Sequence, residues 1–210
     1  MSATYNRFAG KNLDRLTALS DGVFAFAMTL LVLDLRPPDL GVVPTETGLL
    51  GALHAILPNF GTYLMSFMTL GIFWIGQQTQ LNSFERSDRN LSWIHIMFLL
   101  GVATLPFSTA LLAKYSMLRT ALLIYWLNIL YLGVVLFISW HYVSAKNLWR
   151  PDCSVEMRNA QRRRIVVAQA LYAAGAALCF WNTYISIAAI FLLQAYYAIA
   201  PRLGRWTEKL

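Results

Sequence analysis

Charge is what this sequence has least of. Lys, Arg, Asp and Glu supply 13% of its 210 residues, while 58% are hydrophobic. A soluble domain carries about a quarter charged residues, so this chain has too little polar surface to coat a water-soluble globule. Cysteine is almost as scarce. Cys153 lies among basic residues and Cys179 in an apolar run, with no C-x-x-C; that excludes a disulfide scaffold or a thiolate metal cluster, and both are expected as unpaired thiols. His54, His95 and His141 have no spacing-matched partners, and H-E-x-x-H, G-x-S-x-G and paired catalytic carboxylates are all missing. Metal and nucleophilic enzymes are thereby set aside, no cofactor is expected, and the histidines read as satisfied or interfacial. The polar first 14 residues lead to no expectation of a cleaved signal peptide.

What is present is a series of long charge-free stretches. About 20 apolar residues cross a bilayer, and six such helices can be placed, over about 13–35, 49–80, 91–113, 119–146, 162–181 and 184–203. In the second, Pro58 is expected to separate a short approach segment (49–57) from the span proper. Trp181–Tyr184 ("WNTY") splits the last long stretch into a hairpin. A basic loop is placed at about 147–161. The reading is an all-α integral membrane protein, one domain over residues 1–210. With the N-terminus in the cytoplasm, 14 of the 17 Lys and Arg fall inside and only Arg36, Lys114 and Arg119 outside. That bias places both termini in the cytoplasm. It also accounts for the net charge of +7; "RRR" (Arg162–Arg164) has no aromatic platform of the kind nucleic acid needs. The seven Trp fall mostly near span ends, where they act as interface anchors.

The first helix carries polar residues that need a reason. Projected at about 100° per residue, Ala18, Gly22, Ala25, Phe26, Thr29 and Leu33 fall on one narrow stripe, with Leu30 flanking it and Val23 and Leu31 off it. Small residues in a membrane permit close helix approach, so the stripe fits plain packing with Thr29 bonded back to its own helix. Asp21 is harder to place, because a carboxylate inside a span costs roughly 2.5–3.5 kcal/mol on insertion scales and faces protein or water. Arg15 is six residues earlier and not on its face. Ser20 and Asp21 together offer enough hydrogen bonds to lock this helix to another. Asp34, beside Arg36 and Pro37 at the far end, is explained by interfacial solvation.

These residues also carry a resemblance. "RLTALSDGVFAFAMTLLVLDL" (Arg15–Leu35) resembles the R-x-x-x-F-S-D signature that opens the first helix of the transmembrane protein 175 family, with Leu19 where the family has Phe. "LPFSTALLAKY" (Leu105–Tyr115) resembles a second family segment, usually L-P-F-P-T. Family members are potassium channels of bacterial membranes and animal endolysosomes. The resemblance implies a homotetramer in the bacterial inner membrane, with the first helix of each subunit lining a central pore. It maps Phe26 to a hydrophobic constriction, Thr29 to a hydroxyl ring in transient contact with K+, and Leu33 to an outer apolar ring. If Phe26 packs between helices instead, Val23 or Leu30 becomes the narrowest ring. Arg15, Ser20 and Asp21 would position the helix. Apart from lipids and monovalent cations no further partner is implied.

The family lacks the T-V-G-Y-G filter, and so does this sequence. A ring of four hydroxyls favours large, weakly hydrated cations with modest selectivity, and apolar rings gate by dewetting. Asp14 at one mouth, and Asp34, Asp39 and Glu46 at the other, would enrich cations weakly. Many family members carry histidine where "FWIGQQTQ" has Gln77 and Gln78, so a hydrogen-bond network there is altered. The competing reading is a secondary cation or proton-coupled transporter. Pro58 and Pro106 break helices, as transporters require, but the halves show no internal repeat.

Overall fold

The computed structural model describes residues 12–38 and 45–207. Within them lie six α-helices: α1 (Leu13–Leu30), α2 (Glu46–Asn82), α3 (Arg89–Lys114), α4 (Arg119–Lys146), α5 (Val155–Ala177) and α6 (Thr183–Thr207). Tight 3-10 turns extend α1 over Leu31–Asp34 and α5 over Leu178–Phe180. Short polar residues start five of the six, each accepting an otherwise orphaned first-turn N–H: Asn12 from Arg15, Thr45 from Gly48, Asp88 from Leu91, Ser154 from Met157, and Asn182 from Tyr184. Among the described residues, five helices are long and apolar enough to cross a membrane, and α6 adds a shorter apolar stretch, Thr183–Ile199.

Two expectations about where helices run are corrected. Pro58 does not divide the second segment, for α2 runs unbroken through it for 37 residues. A proline removes one N–H from the helical ladder, and membrane helices tolerate that loss because leaving the helix would orphan many more backbone groups. At 1.5 Å per residue α2 is roughly 55 Å long, well beyond the hydrocarbon core, and its first turns stand largely exposed on the protomer. The basic segment is also not all loop: α5 begins at Val155, capped by Ser154 and with Glu156 in its first turn. Arginines hid this helix from a hydropathy reading, although the cap residue was in view.

The core lies where α3 and α4 pack most closely and α1 and α2 close over them. Phe24, Met65, Leu70, Phe98, Val102 and Ile129 are buried there. Gly101 makes the α3–α4 approach possible: a Cβ there would lie 2.6 Å from the Tyr131 ring and 2.9 Å from Leu132. Four helices are also stitched by buried polar groups. Thr109 Oγ1 donates to Ser66 Oγ (2.8 Å), Ser66 Oγ to Tyr125 OH (3.4 Å), and Gln194 Nε2 to Thr69 Oγ1 (2.7 Å), itself 2.9 Å from Tyr125 OH.

A second cluster ties together one end of the bundle, joining Leu16 of α1, Phe84 after α2, Leu91 of α3, and Leu148 and Trp149 after α4. Glu85 N–H donates to Leu148 O and Arg150 N–H to Ser83 O. The described basic residues Arg15, Arg86, Arg89, Lys146, Arg150, Arg158 and Arg162–Arg164 all belong to this end. Arg158 lies over the Trp149 ring and Arg162 over Trp140. Trp149 is therefore buried protein structure rather than an interface anchor. His95 departs from expectation as well: it is buried against Phe84 with neither ring nitrogen hydrogen-bonded among the described residues. Cys153 and Cys179 are free and buried.

Candidate functional site

The two faces of α1 differ sharply. Leu16, Ser20, Phe24 and Ala27, with Leu31 just beyond, are buried against the bundle. Ala18, Gly22, Ala25, Phe26, Thr29 and Leu33 are all exposed, Phe26 at 65% and Leu33 at 67%. Val23 packs partly against the core, and Leu30 is half-buried. The protomer thus leaves bare one continuous stripe, apolar except for one hydroxyl. Thr29 Oγ1 donates to Phe26 O at 2.8 Å. Because that bond uses the hydroxyl's only proton, the oxygen keeps lone pairs for an electropositive partner.

The polar residues behind the stripe fasten α1 to α2. Ser20 is fully buried; its hydroxyl donates to Leu16 O (2.9 Å) and accepts from Gln77 Nε2 (2.8 Å). Asp21 Oδ1 accepts from Trp74 Nε1 and from Gln78 Nε2, each at 2.7 Å. Trp74, Gln77 and Gln78 fall at i, i+3 and i+4, one face of α2, and two adjacent residues of α1 receive all three donors. That spacing was the sequence signal for the network. Reading Trp74 as an interface anchor missed it, since the indole N–H is committed to Asp21. The side chain of Arg15 is exposed and pairs with no carboxylate among the described residues; its backbone N–H donates to the Asn12 cap. Asp14 and Glu46 are exposed, whereas Asp39 and the side chain of Asp34 lie outside the described residues. No group of three or more His, Cys, Asp or Glu that could hold a metal ion occurs among the described residues.

Comparison with known proteins places this architecture. The sequence pattern described as "Endosomal/lysosomal potassium channel TMEM175" matches residues 15–106, the segment that holds the stripe and its fastening. A potassium channel of Streptomyces collinus is 31% identical over 188 residues, covering 87% of this chain and 90% of its own. The chain belongs to the TMEM175 family. A crystal structure of a lysosomal potassium-selective channel TMEM175 homolog from Chamaesiphon minutus superposes with a TM-score of 0.79 at 27% identity, covering 90% of this chain and 98% of that one. The endosomal/lysosomal proton channel TMEM175 of Gallus gallus is 31% identical over 112 residues, which is 49% of this chain and 22% of the larger animal protein. These TMEM175 relatives are ion channels rather than enzymes. The chain is a multi-pass membrane protein of a potassium-channel family.

Proposed function

We propose that this protein is a potassium-permeable cation channel of the bacterial inner membrane. Four copies arrange their α1 helices around one axis, with both termini on the cytoplasmic side. The observation that carries this reading is the bare α1 stripe, because Ala18, Gly22 and Ala25, which let like helices approach closely, share one exposed line with the hydroxyl of Thr29, which hydrocarbon cannot solvate, and with Phe26 and Leu33. In a four-fold arrangement Phe26 forms the hydrophobic constriction, Thr29 the hydroxyl ring in passing contact with K+, and Leu33 the outer apolar ring, with Leu30 at the flank. The exposure of Phe26 favours it over Val23 and Leu30 as the narrowest point.

Four outward-facing hydroxyl oxygens replace part of the hydration shell of potassium or caesium. Sodium holds its water more tightly and gains too little from them, so selectivity is modest and the apolar rings set the rate. Ser20 and Asp21, held by α2, fix the rotation of α1 so that Thr29 points to the axis. Arg15, at the arginine-rich end, is left to pair across a subunit boundary.

The test is cation flux into liposomes containing the purified protein, comparing potassium, caesium and sodium gradients and repeating each with Thr29→Cys. Both native thiols are buried, so a water-soluble thiol reagent should find the new one. Potassium and caesium flux above sodium, blocked by the reagent only in the variant, supports the reading. Flux that the reagent leaves untouched moves the conduction path away from this stripe, and saturable coupled exchange makes the protein a transporter.

A further inference from the structure

The first part of α2 runs past the rest of its own bundle. α2 buries no residue before Thr62. Pro58, Asn59 and Thr62 line one hollow with Ala113 and Ser116 at the end of α3 and Tyr184 at the start of α6. Thr183 Oγ1 of α6 donates to Met117 O in the turn between α3 and α4. Lys114 and Arg119 bracket that turn, which marks it as the water interface. From Pro58 back to Glu46 the helix therefore projects about 18 Å beyond this level.

The projecting stretch is apolar, and its bulk lies on one side. Residues 47–84 contain no Asp, Glu, Lys or Arg. With heptad letters set so that Leu50 is a, Leu57 is also a, Leu53 and Phe60 are d, and Leu49 and Ile56 are g. The b, c and f positions hold Gly51, Ala52, Ala55, Pro58 and Asn59 instead. Leu50 is 65% exposed and Leu57 56%. Lower down, where α2 packs into its own bundle, the buried Thr62, Met65, Ser66, Thr69 and Phe73 fall at b, c and f, while Leu64 and Phe67 continue the a/d seam and stay exposed. Two heptads below Phe60, Trp74 holds the same d position and donates to Asp21 of α1. The seam thus lies on the side of α2 that α1 covers near Trp74, and the 3-10 turn extending α1 ends at Asp34.

We propose that the outer part of α2 packs seam to seam with the same segment of other copies of this chain, as a short parallel coiled coil standing outside the bilayer. The proposal rests on the reading that several copies form one assembly; because all cross the membrane in the same direction, their projecting helices run parallel. Three features select this partner. An a/d repeat is the pattern by which helices interlock, whereas contact with lipid requires no such order. The stretch lies beyond the interface, where hydrocarbon cannot cover Leu50, Leu53 and Leu57. A seam without charges also meets its own copy without like-charge repulsion.

The experiment is cysteine crosslinking of the whole protein in liposomes under a mild oxidant, read on a non-reducing gel. Leu53→Cys and Leu57→Cys probe the seam; Ala55→Cys and Asn59→Cys probe the opposite side of the same turns. All four positions are exposed on the protomer, and the native thiols are buried and free. The seam variants should give disulfide-linked dimers several-fold in excess of the other two, because only seam positions come within reach of a disulfide. Leu53→Glu combined with Leu57→Glu should shift the intact assembly toward smaller species in native mass spectrometry, while Ala55→Glu combined with Asn59→Glu should not. Equal crosslinking on both sides overturns the proposal, as random collision would produce it. No crosslinking at the seam also overturns it and leaves these leucines to lipid or to another protein. Thr29→Cys liposomes run in parallel keep the two readings apart. Reagent block of flux there without seam crosslinks preserves the α1 pore and removes only the coiled coil, whereas seam crosslinks without block do the reverse.

Discussion

Gln77 and Ser20 meet across the α1–α2 contact with no solvent exposure on either side, Nε2 to Oγ at 2.8 Å. Ser20 donates its hydroxyl hydrogen to Leu16 O, and its oxygen is the one hydrogen-bond acceptor found for the Gln77 amide among the described residues. Ser20→Ala strands that amide in an apolar contact and should destabilise the protein by about 1–3 kcal/mol. Ser20→Ala combined with Gln77→Leu removes donor and acceptor together and should recover much of the loss. A thermal-melting double-mutant cycle in detergent measures the coupling; additive effects would show that the contact contributes nothing.

One residue further along, Asp21 gathers two donors on a single oxygen, from Trp74 and Gln78. Asp21→Asn keeps an oxygen of the same shape there and should leave the helix in place, with melting lowered by about 1 kcal/mol or less at so exposed a site. Asp21→Leu removes the acceptor of both bonds, frees α1 to rotate, and should impair flux out of proportion to its stability. Comparing flux with melting for the two variants separates a positioning carboxylate from one that simply adds charge.

Gly101 lies under the Tyr131 ring, where no Cβ fits. Gly101→Ala should wedge α3 from α4 and lower stability by about 1–3 kcal/mol, the range for overpacking, even though alanine is the better helix former. Tyr131→Ala in the same chain should relieve part of the loss. A Gly101→Ala protein that melts at or above the wild type would show that the contact yields freely.

Much of this arrangement could be read from residue order. Charge-free length reveals helices, and the spacing of Ala18, Gly22, Phe26, Thr29 and Leu33 marks a face that the fold leaves bare. What could not be read has physical causes. Hydropathy measures lipid compatibility, not helicity, so the arginine-rich start of α5 looked like loop. Pro58 signals a break in water, but the bilayer penalises the orphaned backbone a break would create. Trp74 was ambiguous because an indole serves equally at a membrane interface or as a donor to a carboxylate, and only the position of Asp21 on the facing helix decides.

The exposed side chains of α1 carry the sharpest functional expectation. If four Phe26 rings form the narrowest point, their resistance is the work of dehydrating an ion in an apolar ring. Phe26→Ala then widens and wets that ring, and flux should rise by about an order of magnitude, a barrier lowered by some 1.4 kcal/mol. Thr29→Ala leaves the constriction alone but removes the oxygens that offset dehydration. Its potassium flux should fall and its potassium-to-sodium ratio should drop about threefold, under 1 kcal/mol of differential stabilisation. The two changes therefore act on different quantities, Phe26 on rate for every cation and Thr29 on the preference among them. Liposome flux under matched potassium and sodium gradients reads both. Were Phe26→Ala to alter selectivity alone, or Thr29→Ala to scale all cations equally, the roles assigned to these two rings would have to be exchanged.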